Sequence, residues 1–161
     1  MQPDRTLMRI WVDADGCPKA IKEILFRAAV RARIPTTFVA NRDLRLPRSP
    51  FLRSMQVPRG FDVADGRITA LVERGDLVIT ADIPLAADVV ARGAIALDPR
   101  GELYTEDNVK ERLALRDAMD QLRSSGVVTG GPASFGHADR AAFANRLDAL
   151  LTQHSRKADA P

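Results

Sequence analysis

The residues best suited to chemistry are Asp13 and Asp15, two carboxylates spaced by two within Ile10-Trp11-Val12-Asp13-Ala14-Asp15-Gly16-Cys17-Pro18. Ile10–Val12 suits a buried strand, and Pro18 suits the first turn of a helix, where its missing N–H is no loss. The pair therefore falls where a strand ends and a helix begins. Residues two apart on an extended backbone point the same way, so both carboxylates can converge on one cation. The alternative is that they satisfy backbone donors of the turn and cap the following helix, a task that needs only one of them.

Asp82 follows a second strongly apolar run, Leu77–Thr80, and precedes a proline-started helix in the same manner. In open parallel sheets, ligands bind beyond the carboxyl ends of the strands, where the strand order reverses. If these two strands are neighbours, Asp13, Asp15 and Asp82 meet at one edge as a catalytic and metal-binding set. Such hard oxygen ligands suit Mg²⁺ or Mn²⁺. Asp65 is a further candidate ligand and Asp62 a weaker one, since both also read as acids at a helix start. Asp76 reads as a turn residue at the opposite end of its strand, and Asp98 as a lesser candidate. A metal among clustered carboxylates lowers the pKa of bound water and stabilises a leaving oxygen, which points to phosphoryl transfer or phosphodiester hydrolysis without histidine.

The cations are unevenly placed. From Ile24 to Phe61 there are eight arginines against one acid, and from Asp62 to Asp107 ten acids against four arginines. That split can set a basic surface beside an acidic pocket, so Arg42, Arg45, Arg48 and Arg53 are candidates for a nucleic-acid backbone. The alternative scatters them over separate faces. Arg112 and Arg116, four apart on one helix, can grip a phosphate or pair with surface acids. Gly130 and Gly131, in Thr129-Gly130-Gly131-Pro132, can form an anion-binding nest or simply a tight loop. The single cysteine, Cys17, excludes an internal disulfide and a thiolate-rich zinc site, and packing in a turn explains it better than reactivity.

These side chains need a scaffold, and the sequence alternates strand and helix. Strands are expected at 8–12, 36–40, 55–57, 77–80 and 94–97. Helices are expected at about 18–33, 62–74, 84–93, 106–124 and 139–154, with His154 on a solvated helix end. Elements of this length in this order predict an α/β fold, with a mainly parallel sheet of four or five strands and helices on both faces. The last two helices are additions packed on that sheet. Residues 1–7 are expected to be a flexible extension, 8–154 one domain and 155–161 a disordered tail. No apolar run approaches the roughly 20 residues that span a bilayer. No signal-peptide core opens the chain, so cytoplasmic residence without a membrane partner is expected.

Several motifs are shared with a known family. Val-Asp-Ala-Asp-Gly-Cys-Pro at 12–18, Gly-Asp-Leu-Val-Ile-Thr-Ala-Asp-Ile-Pro-Leu-Ala at 75–86 and Pro-Arg-Gly at 99–101 resemble the YaiI/YqxD family of uncharacterised bacterial proteins. Tyr-Thr at 104–105, Thr-Gly-Gly-Pro at 129–132 and the segment 139–143 complete the resemblance over residues 8–152. That family is grouped by resemblance with PIN-like nuclease domains, which implies a three-layer fold with clustered acids that bind Mg²⁺ or Mn²⁺. The resemblance implies that Asp13, with Asp15 beside it, is the first PIN acid, that Asp82 is the late one, and that Asp65 begins the preceding helix. The early glutamate usual in PIN domains has no clear counterpart. The leading expectation is thus a metal-dependent nuclease acting on RNA. The alternatives are a PIN-like domain that binds RNA or a partner without cutting it, and a phosphatase with Asp13 as nucleophile and Asp15 as general acid. Thr80 would serve the phosphatase, but Lys110 is followed only by ordinary helix acids.

Overall fold

The computed structural model describes residues 8–60, 62–127 and 134–159. Its strands are β1 (Ile10–Asp13), β2 (Thr36–Ala40), β3 (Leu52–Gln56), β4 (Leu77–Ile79), β5 (Ile95–Leu97) and β6 (Leu103–Tyr104). Its helices are α1 (Lys19–Ala32), α2 (Val63–Leu71), α3 (Ile83–Ala91), α4 (Glu106–Ser124) and α5 (His137–Asp159). The six strands form one sheet in the order β3-β2-β1-β4-β5-β6, parallel except for the β5–β6 hairpin. The expected α/β class and mainly parallel sheet are therefore present, with one strand more than the sequence suggested. β6 has only two residues, too few to leave a periodic signature.

Period-2 alternation splits the core into two layers of helix. Ile10, Val12, Phe38, Leu77 and Ile79 face α1 and α5, where Ile21, Leu25, Phe143 and Leu147 are buried. Trp11, Val39, Val78 and Ala96 face the other way, against Ile68 of α2 and Leu85, Val89 and Val90 of α3. Strands buried on both faces explain why 10–12 and 77–79 read as continuous apolar runs.

Three features differ from the expected elements. The third strand begins at Leu52, three residues early, because β3 is an edge strand whose half-exposed residues give no apolar run. α4 buries fully only Val109, in its first turns. α5 continues to Asp159, so residues 155–159 are helical where a disordered tail was expected. His154 is half-buried and accepts a hydrogen bond from the Met8 amide (3.3 Å), which ties α5 to the start of β1.

The β5–β6 turn shows why Pro-Arg-Gly stands at 99–101. Asp98 accepts from the Arg100 and Glu102 amides at 2.7 and 3.2 Å, which shapes the turn. Gly101 adopts a φ of 91°, and a Cβ there would lie 2.7 Å from the Ala142 carbonyl carbon. Only glycine allows α5 this close. Arg100 completes the join by pairing with Asp139 at 3.0 Å and lying 5.6 Å from the centre of the Phe135 ring.

Candidate metal centre

β1 and β4 are parallel neighbours, with Val12 paired to Ile79. From β1 the chain winds outward through β2 to β3, then returns to β4 and winds the other way through β5. The order thus reverses between β1 and β4, and the carboxyl ends of these two strands carry Asp13 and Asp82.

Thr80 joins the two. It is buried just beyond β4, where its amide bonds to the Leu97 carbonyl. Its hydroxyl donates to Asp13 Oδ2 (2.9 Å) and accepts from the Asp82 amide (3.0 Å). This positioning role was not found from sequence, although the Thr-Ala-Asp spacing carries it. Asp82 itself caps α3: its Oδ1 accepts from the Leu85 amide at 3.0 Å, with Pro84 in the first turn. Asp62 adopts a left-handed conformation (φ 61°) before α2, and its side chain makes no capping bond.

The tightest group of carboxylates is Asp62, Asp65 and Asp82, each offering an oxygen within 4.8 Å of the others. Asp62, the weaker candidate from sequence, thus belongs to the cluster. Asp13 stands beside it rather than inside that trio. Asp15 departs most from expectation. Residues 14–16 form a 3₁₀ turn, so the same-side rule for extended backbone does not reach Asp15. Asp13 stays half-buried, whereas Asp15 is exposed and accepts the Asn41 amide at 2.8 Å. That bond ties the turn after β1 to the end of β2.

Crowding shows in the proton affinities. Burial, the charges of Asp82 and Asp13, a shared hydrogen bond with Asp82 and the charge of Asp62 push the Asp65 carboxyl up to about 7. Asp13 is also raised, by burial first and by Asp82 and Asp15, against the opposing bond from Thr80. Carboxylates so placed repel one another, and a hard divalent cation would balance them. The donor set is all oxygen, which suits Mg²⁺ or Mn²⁺. Cys17 lies nearby but is buried, and burial pushes its thiol up to about 12, far from a reactive thiolate.

The candidate phosphate and nucleic-acid residues fare differently. Arg112 pairs with Glu102, and Arg116 with Asp117 and Asp120, so both are engaged with acids of the protein. Gly130 and Gly131 lie outside the described residues. Arg42, Arg45, Arg48 and Arg53 are all exposed. The first three ride the loop between β2 and β3, whose Leu44 and Leu46 pack on the α1/α5 side. Arg53 shares its register with Thr37 and Trp11, on the α2/α3 side.

Among the described residues, no helix is long and apolar enough to cross a membrane. No solved structure matches the chain. Its sequence is 64% identical to a UPF0178 protein of Bordetella avium over 154 residues, covering 96% of this chain and all of that protein. It is 61% identical to a UPF0178 protein of Proteus mirabilis over 150 residues, covering 93% of this chain and 99% of that one. A UPF0178 protein of Shewanella amazonensis is 60% identical over 146 residues, covering 91% and 98%. The aspartates Asp13, Asp62, Asp65 and Asp82 all fall within residues 11–153, which match the family described as "Uncharacterized BCR, YaiI/YqxD family". The chain, from the first acid of its site to the helix that closes the opposite layer, belongs to the YaiI/YqxD family.

Proposed function

We propose that this protein is a Mg²⁺- or Mn²⁺-dependent nuclease, PIN-like in organisation, that hydrolyses RNA in the cytoplasm. The observation that carries this reading is the meeting of Asp62, Asp65 and Asp82 beside Asp13 at the point where the strand order reverses. Asp65 and Asp82 would hold the ion, with Asp62 on the solvent side. Thr80 holds the Asp13 carboxylate in place, and the cap bond to Leu85 fixes that of Asp82. A bound divalent ion supplies an acidified water and charge stabilisation at the leaving oxygen. Each carboxylate that faces solvent can accept a proton from such a water.

The test is cleavage of an unstructured RNA with Mn²⁺ or Mg²⁺ and with a chelator. Wild type should cut only with metal, and Asp65→Asn and Asp82→Asn should not cut. Absence of metal-dependent cleavage by wild type would sink the nuclease. A second reading, RNA binding without cleavage, is favoured by one observation: among the described residues, the tight cluster holds aspartates alone. The phosphatase reading is less supported, because Asp15, its general acid, is exposed and holds the Asn41 amide.

A further inference from the structure

Two cavities follow one another along one face of the edge strand β3. The lower, of about 320 Å³, is lined by Trp11, Thr37, Phe51 and Arg53 among others. The upper, of about 430 Å³, lies between Met55, Val57 and Pro58 on one side and Val63, Gly66 and Arg67 of α2 on the other. Arg53 and Met55 are two apart on β3 and so share a face. From Arg53 to Val57 the chain advances about 13 Å, so the two cavities in succession, taken as one groove, match the length of an extended polymer segment rather than of a single small molecule. Its upper end reaches Val63, the residue after Asp62.

The groove walls carry charge that the protein does not use. Arg53 and Arg67 are exposed, and neither has an ion-pair partner among the described residues. Phe51, half-buried, offers a ring on which a base can stack. Gly66 is the less expected feature. It sits inside α2, where glycine costs about 1 kcal/mol relative to alanine. Nothing in the fold requires it, since a Cβ there would meet no atom within 4 Å. A bare backbone on the wall of a groove instead lets a ligand come close.

We infer that the groove between β3 and α2 is the track of a single-stranded RNA, with phosphates on Arg53 and Arg67 and the strand passing Gly66 toward the aspartates. This rests on the reading that the site acts on RNA, and it assigns binding to the groove rather than to the loop arginines Arg42, Arg45 and Arg48.

Binding of a short fluorescein-labelled oligouridylate, followed by anisotropy in chelator over a range of salt, tests it. Gly66→Leu should weaken binding at least about tenfold while the melting temperature holds or rises, because leucine favours the helix and fills the groove. Arg53→Gln with Arg67→Gln should reduce the slope of log K against log salt by about 1.4, at roughly 0.7 for each phosphate contact on a single strand. Lysine at both positions should restore the slope. The proposal is overturned if wild type does not bind, if both groove variants bind like wild type, or if Arg42→Gln, Arg45→Gln and Arg48→Gln together take the slope loss instead. Groove-dependent binding without metal-dependent cleavage would overturn the nuclease and keep the track. Cleavage indifferent to Gly66→Leu would do the reverse.

Discussion

β4 carries a carboxylate just outside each of its ends, and the two have opposite fates. Asp76, before Leu77, is 2% exposed and accepts from four donors: the Arg9 and Glu73 amides, Trp11 Nε1 and the Arg9 guanidinium. Asp82, beyond Ile79, has its cap bond to Leu85 and otherwise faces Asp65 and Asp62. Burial alone does not make a site. At one end, donors outnumber the charge and the carboxylate becomes a structural anchor. At the other, charges outnumber donors and anionic potential is left over for a cation.

The largest effect should come from the anchor. Asp76→Ala strands the buried Trp11 N–H and two backbone amides and releases the Arg9 guanidinium, and should cost about 3–5 kcal/mol in urea unfolding. A loss below about 1 kcal/mol would mean that these donors find water, and the contrast between the two ends would lose its basis.

The two ends were unequally legible in the sequence. Apolar runs at 10–12 and 77–79 located the central strands, and the positions of Asp13 and Asp82 after them followed directly. What joins the acids was not legible. Thr80 acts through a hydroxyl between two elements, and Asp62 enters through a left-handed backbone turn that no periodicity announces. The two-residue spacing of Asp13 and Asp15 implies convergence only on extended backbone, and here the chain has already turned. Asp76 reads from sequence as a turn residue, which its bond from the Glu73 amide bears out, but its other donors come from Arg9 and Trp11, distant in sequence and adjacent only in the fold.

Metal should act at one end only. In chelator, added Mn²⁺ should raise the melting temperature of wild type, since an ion that binds only the folded state stabilises it by about 2.7 kcal/mol at a hundredfold excess over Kd. Asp65→Asn and Asp82→Asn should lose most of the rise, and Asp15→Asn should keep it. A full rise in the Asp65 and Asp82 variants would place the ion elsewhere.

Asp82 has two duties, and its variants separate them. Asparagine caps helices about as well as aspartate, so Asp82→Asn keeps the bond to Leu85 and removes only the charge. Alanine removes both and should be less stable than the asparagine variant by about 1 kcal/mol in chelator. Equal stabilities would show that the cap contributes nothing and that Asp82 is held by the Thr80 hydroxyl through its amide.

The last effect is the most specific. Asp65 holds its proton more firmly in the folded chain, with its carboxyl raised from 3.8 to about 7. Its contribution to stability is therefore full below its unfolded value and is lost as pH rises through the folded one. In chelator, wild type and Asp65→Asn should unfold alike near pH 4, and wild type should fall progressively behind as pH rises toward about 7, then hold a constant gap. Asp13, raised in the same direction, leaves part of this slope in the variant. Saturating Mn²⁺ should invert the trend in wild type, because the ion competes with the proton for the same carboxylates. Parallel unfolding profiles for the two proteins in chelator would show that the cluster is relieved without a metal. The carboxylates at the two ends of β4 would then differ in position but not in kind.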